Sequence, residues 1–352
     1  MREFITILQE WVQQSKQAAL ATVVNVAGSS PRPLGAKMIV SPESEMHGSV
    51  SGGCVETSVL ERALNCMESG KPELLHFGIP EEVPWSVGLA CGGEIDVLME
   101  PLFHPNCPHG LNLELFNHMV DFIKREQPFV LASVISQARL AEKELFDSGG
   151  KQIQIAKTGW GYLLNPSAII SVVEHGQCQQ MTIKTSDNSQ ITVFLEPVLP
   201  LPRLVIVGAV HIAASLVNYA RELGYKTIVI DPRSTFLTPQ RFPHADELIP
   251  AWPQDCLSQW NIRKEDCVVV ISHDEKIDLP ALQYALTTTS SYIGLLGSLK
   301  TREERFDALR EMGITESQLA RIHAPIGLNI KAKTPEEIAI SIMAEIIACR
   351  RS

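Results

Sequence analysis

The sequence predicts an α/β protein in which a carboxy-terminal Rossmann-like domain, built on a doubly wound parallel sheet, follows an amino-terminal α/β domain with a β-rich extension. Two observations lead to this fold class. After residue 203, short apolar runs alternate with segments of helical periodicity, which is the pattern of a parallel sheet with helices on both faces. A proline-rich stretch separates this pattern from a less regular first part, and 352 residues are enough for two or three domains.

Hydrophobic periodicity defines the elements of the carboxy-terminal domain. Strands buried on both faces are expected at the apolar runs 204–207, 227–231, 267–271 and 292–296. Helices are expected at 211–223, 276–289, 300–312 and 336–349. The last helix has a clear start signal, because Thr334 and Glu337 form a capping box around Pro335 in the favoured first position.

The first part mixes both kinds of element. Helices are predicted at 2–16, 55–67 and 111–126, and strands at 19–26, 37–40, 73–77, 94–100, 128–136, 179–184 and 190–196. No internal repeat is evident. Because Pro197, Pro200 and Pro202 predict a stiff linker, we divide the chain into a domain at 1–196, a linker at 197–203 and a domain at 204–352, with a further split near 105 as an alternative.

Composition argues against several classes of function. The chain has 30 Lys and Arg against 40 Asp and Glu, a net charge of −10, which argues against a protein that tracks nucleic-acid phosphates. No apolar run is long enough for a membrane span and the first residues do not follow a signal-peptide plan, so we expect a cytoplasmic protein with no nucleic-acid or membrane partner. Its eight cysteines include no C-x-x-C pair, which argues against zinc ribbons and thioredoxin-type redox sites.

The segment Ser51-Gly52-Gly53-Cys54 stands at the predicted start of a helix. Glycines allow a sharp turn there, and the amide groups of a helix start favour anions and stabilise a thiolate. These four residues are therefore candidate cofactor contacts, with Cys54 as a candidate ligand of a thiophilic metal. A glycine cap followed by a packed cysteine explains the same residues equally well, and both interpretations stay open.

Other candidates in the first domain are weaker on their own. Cys91 lies in 89–93, the mirror image of the first motif, but no helix of clear periodicity follows it, so a tight turn with a buried thiol is favoured. Arg32 is a candidate anion clamp because two prolines stiffen its loop. The histidines and cysteine of 104–109 offer metal ligands, but a loop without a metal is favoured over a zinc site.

The first turn of the second domain resembles a dinucleotide-binding turn. Gly208 stands where a G-x-G-x-x-G motif begins, and Asp231 ends the next strand, at the place of a ribose-binding acid. Val210 replaces the second glycine, and its branched side chain obstructs a pyrophosphate, which argues against NAD(P) binding. Further candidate contacts are the polar residues near strand ends, where ligands of open α/β sheets bind: His211, His273, Asp274 and Asp278.

Several runs of residues resemble the XdhC/CoxI family. GSSPRPLGAKM, GSVSGGCVE and GLACGGEIDVLMEP resemble its amino-terminal domain, and VGAVHIAASL, VIDPR, SHDEKIDLPAL, YIGLLGSLKTR and HAPIGLNIKAKTPEEIAISIMAEI resemble its carboxy-terminal Rossmann domain. The runs occur in order and leave 105–195 without a counterpart. Val210 departs from the G-A-G-H turn usual in the family, and Lys331 stands where a glycine is frequent.

The resemblance implies an accessory factor, rather than an enzyme, for xanthine dehydrogenase-type molybdenum hydroxylases. Such a protein binds molybdenum cofactor transiently, assists its sulfuration together with a cysteine desulfurase, and inserts it into the hydroxylase apoenzyme. The cofactor-binding cysteine of the family falls on Cys54. A homodimer is also expected, with the helix at 336–349 at its interface. The alternative is an NAD(P)-dependent oxidoreductase that uses Gly208, Asp231 and His273, and a third hypothesis is a permanent component of a larger dehydrogenase.

Overall fold

The computed structural model describes residues 1–78, 92–154, 160–185 and 188–351. The chain divides into two compact units, Met1–Pro200 and Leu201–Ser352. Within the described ranges, no helix has the length and apolar content that a bilayer span requires.

The first unit contains two antiparallel sheets of five strands each among its described residues. The elements of its first half are α1 (Ile5–Gln13), β1 (Ala18–Ala27), β2 (Lys37–Val40), β3 (Met46–Gly48), α2 (Glu56–Ser69), β4 (Glu73–Phe77) and β5 (Glu94–Leu102). Those of its second half are α3 (Leu113–Lys124), β6 (Phe129–Val134), β7 (Lys143–Asp147), β8 (Gln152–Gln154), α4 (Pro166–His175), β9 (Gln179–Lys184) and β10 (Gln190–Val198). The strand orders are β3-β2-β1-β5-β4 and β8-β7-β6-β10-β9.

The two halves of this unit are a structural repeat. Each half has a helix, three strands, a helix and two strands in the same sequence, and corresponding strands occupy corresponding places in the two sheets. The expectation of no internal repeat is therefore wrong. The repeat is hard to detect in the sequence because few residues correspond, among them Leu20-Ala21-Thr22 with Leu131-Ala132-Ser133, Lys37 with Lys143, and Glu100-Pro101 with Glu196-Pro197.

Two buried ion pairs join the sheets, and each links a lysine of one half to a glutamate of the other half. The ammonium of Lys37, at the start of β2, lies 2.9 Å from the carboxylate of Glu196 in β10. The ammonium of Lys143, at the start of β7, lies 2.9 Å from the carboxylate of Glu100 in β5. All four residues are buried, and a buried charge that loses its partner is strongly destabilising, so each pair stabilises the unit only as a pair.

Hydroxyl groups complete both ion pairs. Lys37 Nζ donates to Thr22 Oγ1 at 3.2 Å, and Lys143 Nζ donates to Ser133 Oγ at 2.7 Å. Thr22 and Ser133 lie opposite these lysines in the register of the neighbouring strands. The shared polar residues therefore belong to the framework of the repeat.

The predicted β-rich extension contains a helix as well as strands. Asn165 caps α4, because its side chain accepts a hydrogen bond from Ser167 N at 3.0 Å, and Gly176 ends the helix in the left-handed region. The prediction also missed β7, whose first residues, Lys143 and Glu144, are buried charges that conceal the apolar pattern of the strand.

The connection between the two units is shorter than the predicted linker. β10 extends to Val198, and Pro197 lies opposite Val130 of β6. Proline is tolerated at this point because β9 begins opposite Leu195, at Gln179, which leaves one side of β10 unpaired at Pro197. The next strand begins at Arg203, so 199–202 form the connection.

The second unit is a doubly wound α/β sheet, as predicted. Its elements are β11 (Arg203–Val207), α5 (His211–Glu222), β12 (Lys226–Ile230), β13 (Glu247–Ile249), α6 (Pro253–Cys256), β14 (Cys267–Val270), α7 (Glu275–Thr287), β15 (Tyr292–Leu295), α8 (Leu299–Glu311), α9 (Glu316–Leu319), β16 (Ile322–His323) and α10 (Pro335–Arg351). The strands are parallel in the order β13-β12-β11-β14-β15-β16. Helices α5 and α10 cover one face of the sheet, and α7 and α8 cover the other.

The predicted capping box of α10 is confirmed. Thr334 Oγ1 accepts a hydrogen bond from Glu337 N at 3.3 Å, and the carboxylate of Glu337 accepts one from Thr334 N at 3.2 Å. The strands that the prediction missed, β13 and β16, have three and two residues, too few to show a period.

Candidate functional site

Cys54 lies in the segment 49–55, which turns from β3 into α2. Gly52 and Gly53 have φ angles of 74° and 115°, in the region that favours glycine. Both glycines are exposed, whereas Cys54 is half-buried and packs against the apolar cluster between α2 and its sheet. The thiol is therefore held at the surface end of a fixed turn.

The carboxylate of Glu56, the first residue of α2, fills this turn. It accepts hydrogen bonds from the hydroxyl of Ser49 at 2.6 Å and from the amides of Ser51, Gly53 and Val55 at 2.9, 2.8 and 3.2 Å. The hydroxyl of Ser51 donates to it as well. Although burial opposes ionisation, the hydrogen bonds from Ser49 and Ser51 lower the pKa of Glu56 to about 2. The turn therefore carries a fixed negative charge at neutral pH.

The remaining amide groups of the turn are also used within the segment. Gly52 N donates to Ser49 Oγ at 2.8 Å, and Cys54 N donates to Ser51 Oγ at 3.0 Å. The outward-facing amides that the sequence suggests for Ser51, Gly52 and Gly53 thus have internal acceptors. The thiol of Cys54 is different, because no hydrogen bond to its Sγ is found among the described residues.

Arg32 is brought to the same turn from a loop 17 positions earlier. Its Nε–H donates to Ser49 O at 3.1 Å. Ser30 Oγ donates to Arg32 O at 2.9 Å, and a Cβ added at Gly52 would lie 3.6 Å from Pro31, so this loop packs on the turn. In the described part of the chain, neither terminal Nη group of Arg32 makes a hydrogen bond, which leaves these donors for a ligand.

Gly93, the last residue of the glycine-rich segment 89–93, lies against the loop that carries Arg32. Gly93 approaches Ser29 so closely that a side chain at 93 would collide with the Ser29 carbonyl group, so glycine is required there. Cys91 lies outside the described residues, and its place in the site stays a prediction.

Gly208 and Asp231 stand at the carboxyl ends of β11 and β12, as the motif predicts. Gly208 has a φ of 116°, and a Cβ added there would lie 2.6 Å from the amide nitrogen of Ser272. Asp231 is fully buried, and its Oδ2 accepts a hydrogen bond from Ala209 N at 2.7 Å. Arg233 binds both carboxylate oxygens, Nε to Oδ1 at 2.9 Å and Nη2 to Oδ2 at 2.8 Å.

These contacts disfavour the expected roles in dinucleotide binding. In a dinucleotide site the turn amides approach the pyrophosphate and the acid binds ribose hydroxyls. Here the Ala209 amide binds Asp231, and Arg233 covers the carboxylate. Burial opposes ionisation of Asp231, but hydrogen bonds from Arg233 and Ala209 keep its pKa below the usual value. Val210 immediately precedes α5, where the second glycine would stand.

The other predicted residues of this crevice lie on loops and helix starts. His211 is exposed at the first position of α5, and His273 is exposed with a φ of 63°. Asp274 caps α7, because its Oδ1 accepts from Lys276 N at 3.0 Å. No hydrogen bond joins His211, His273 and Asp274 to one another in the part of the chain that is described.

A buried carboxyl group, Asp278, lies beside these loops. It accepts a hydrogen bond from Ser272 Oγ at 2.6 Å, and Arg305 Nε lies 3.5 Å from its other oxygen. Burial raises the pKa of Asp278. The sequence analysis assigned no role to Arg305 or Arg233. The one signal that could have indicated Arg233 is its place two residues after Asp231.

Clustered metal ligands are absent from the described ranges. No group of three or more His, Cys, Asp and Glu side chains there is arranged to hold a metal ion. In the loop at 104–109, His104 Nδ1 instead accepts a hydrogen bond from Asn106 N at 3.1 Å.

Two family models match the chain, one for the XdhC Rossmann domain at 204–346 and one for the XdhC and CoxI family at 11–78. The chain is 29% identical to a protein of Bacillus subtilis named as a probable xanthine dehydrogenase subunit, over 100% of this chain and 98% of that protein. It is 27% identical to the molybdenum cofactor insertion chaperone PaoD of Escherichia coli, over 99% and 88%. A crystal structure of a xanthine dehydrogenase from Bacillus halodurans is similar, with a TM-score of 0.77, 27% identity, and coverage of 99% and 95%.

Proposed function

Since the chain belongs to the XdhC and CoxI family, we propose that it is a chaperone that binds molybdenum cofactor and inserts it into a xanthine dehydrogenase-type molybdenum hydroxylase. The names of two relatives support the proposal, one an insertion chaperone for this cofactor and the other a probable subunit of xanthine dehydrogenase. Both are similar to the chain over nearly its whole length. The protein carries and delivers the cofactor, and the chemistry of the hydroxylase belongs to its partner.

The observation that carries this proposal is the half-buried thiol of Cys54 in a turn to which Arg32 is hydrogen-bonded. A soft thiolate suits a thiophilic metal such as molybdenum, and the guanidinium suits the phosphate or another anionic group of the same ligand. The other described thiols suit a metal less well, because burial raises the pKa of each: Cys66, Cys107, Cys178, Cys256, Cys267 and Cys349.

Retention of isolated cofactor tests the proposal. The apoprotein is incubated with molybdenum cofactor and desalted, and bound pterin is measured by fluorescence for the wild type, Cys54→Ser and Arg32→Lys. Cys107→Ser is the matched control, since Cys107 is also half-buried in the first unit. We expect Cys54→Ser and Arg32→Lys to retain about tenfold less pterin, a loss of about 1.4 kcal/mol in binding free energy, and the control to match the wild type.

Two results would contradict the proposal. If no variant and no wild-type protein retains pterin, the chain is not a cofactor chaperone. If Cys54→Ser retains as much pterin as the wild type, the cofactor binds without this thiol. Delivery is then tested by mixing the loaded protein with a molybdenum hydroxylase apoenzyme and measuring the hydroxylase activity that appears.

Sulfuration of the cofactor belongs to the same proposal and rests on the family resemblance. The partner would be a cysteine desulfurase, which supplies the sulfur. We expect hydroxylase activity after delivery to require desulfurase and L-cysteine in the loading mixture, and activity without them would remove this step. The homodimer and the cytoplasmic location stay predictions.

A further inference from the structure

We propose that Glu56 is a positioning residue for Cys54 and acts as a built-in anion. Its carboxylate fills the amide nest of the 49–55 turn, so that an external phosphate or oxyanion is excluded there. Cys54 is then left to contact the metal of the bound ligand. The identity of that metal as molybdenum rests on the proposed function. The arrangement around Glu56 does not depend on it.

Hydrogen bonds support the first part of this inference. The carboxylate receives the amides of Gly53 and Val55, which flank Cys54 on both sides, so the backbone that carries the thiol cannot move without breaking contacts to Glu56. The hydroxyl groups of Ser49 and Ser51 bind Glu56 and also receive the amides of Gly52 and Cys54. Every amide from Ser51 to Val55 thus has an acceptor within residues 49–56.

Charge supports the second part. The ionised carboxylate occupies the position that an anion would take at a helix start, and a second anion would meet repulsion from Glu56 together with the loss of satisfied amide donors. Arg32 offers its terminal donors beside the turn, held by Ser49 O. The anionic group of a ligand therefore has its binding partner at Arg32, and the metal end is left for Cys54.

The structural repeat provides an independent comparison. The corresponding helix of the second half, α4, begins with Asn165 and Pro166, and its cap is a single bond from Ser167 N to the neutral side chain of Asn165. The fold thus starts this helix without a carboxylate. The five-donor arrangement at Glu56 is a property of the half that carries Cys54.

Two alkylating reagents that differ in charge test the proposal without any cofactor. Iodoacetamide is neutral and iodoacetate is negative, and modification of Cys54 by each is followed by peptide mass spectrometry. In Glu56→Gln we expect the ratio of the iodoacetate rate to the iodoacetamide rate to rise about fourfold, the effect of removing one charge about 5 Å away in a water-like medium. A structural role alone would change both rates together and leave the ratio unchanged.

Glu61→Gln is the matched control, since Glu61 is exposed on the same helix. Its ratio is expected to equal that of the wild type. An unchanged ratio in Glu56→Gln, or an equal rise in Glu61→Gln, would overturn the proposal.

A second measurement covers the case in which Glu56→Gln does not fold. Cys54 of the wild type and of Arg32→Gln is alkylated with iodoacetamide in millimolar phosphate and in chloride of the same ionic strength. In Arg32→Gln, which lacks the guanidinium that could hold phosphate beside the turn, we expect equal rates, and protection by phosphate in this variant would overturn the proposal. Because neither measurement contains cofactor, failure of the inference is distinguished from failure of the chaperone proposal, which is decided by the retention of pterin.

Discussion

At the scale of single residues, Glu56 couples the stability of the Cys54 turn to pH. Its pKa is about 2 in the folded chain, against an ordinary value of 4.5. Such a carboxyl group stabilises the fold fully above pH 4.5, and its contribution is lost as pH falls from 4.5 towards 2. Since the group is partly exposed and solvent screens it, we expect Glu56→Gln to lower the free energy of unfolding by about 1–2 kcal/mol at pH 7.

Urea unfolding of the wild type and Glu56→Gln at pH 7 and near pH 3 measures this effect. The difference between the two proteins should shrink at the lower pH, because near pH 3 the carboxyl group of the unfolded chain is already protonated and part of the contribution of Glu56, whose folded pKa is about 2, is lost. Glu61→Gln should match the wild type at both values. A difference for Glu56→Gln that is equally large near pH 3 would show that ionisation of Glu56 does not stabilise the turn.

The residues of the site could be predicted from sequence only in part. Cys54 and Arg32 stand in glycine- and proline-rich runs, which are local signals. Glu56 gives no such signal, because an acid in the first turn of a helix is common and favourable for its dipole alone. Only the folded turn shows that this carboxylate bends back to receive the amides around Cys54.

At the scale of elements, the repeat explains why the first unit has buried charges. Lys37 and Lys143 each begin the second strand of their half, and each binds a glutamate in the last strand of the other half. The two pairs thus fix the two sheets against each other in a reciprocal way. They were not candidates for chemistry in the sequence, and their symmetric contacts assign them to the framework.

We expect Lys143→Met to destabilise the first unit by about 3–5 kcal/mol, because Glu100 is then buried without a cation. Urea unfolding followed by tryptophan fluorescence measures the loss. Lys124→Met is the control, as Lys124 is exposed at the end of α3, and it should change stability by less than about 0.5 kcal/mol.

The double variant Lys143→Met with Glu100→Leu distinguishes the effect of an unpaired buried charge from the effect of altered packing. It should recover most of the loss, because no unpaired charge remains. A double variant as unstable as Lys143→Met would mean that packing, and not the unpaired carboxylate, is the cause.

The elements that the sequence predicted best are those with a long and regular period. The strands and helices of the Rossmann unit and the amphipathic α2 belong to this group, and their bounds differ from the prediction by a few residues. The helix α4 and the strands β7 and β8 were missed, because a short helix among polar residues and a strand that begins with buried charges show no clear period. The repeat itself lies in topology, which a single sequence does not reveal.

At the scale of the whole molecule, each unit buries its own core. The apolar clusters of the Rossmann unit contain residues from 204 to 349 only, and those of the first unit end at Val198. Arg203, the first residue of β11, is satisfied inside its own unit by Asp266 and by the carbonyl groups of Trp260 and Asn261. Separation at the boundary of the units therefore breaks neither a cluster nor this network.

We accordingly expect the fragment 201–352 to unfold cooperatively on its own, as measured by thermal unfolding with circular dichroism. We also expect NADH and NADPH to leave its melting temperature, and that of the full chain, unchanged. A dinucleotide at a hundred times its dissociation constant would stabilise a binding protein by about 2.7 kcal/mol, a shift of several degrees. The Ala209 amide and the Asp231 carboxylate would both have to leave their present partners before such a ligand could use them.

Two outcomes would change this conclusion in different ways. A fragment without a cooperative transition would show that the Rossmann unit needs the first unit to fold, in spite of its separate core. A rise in melting temperature with NADH or NADPH would restore the oxidoreductase hypothesis for Gly208, Asp231 and His273.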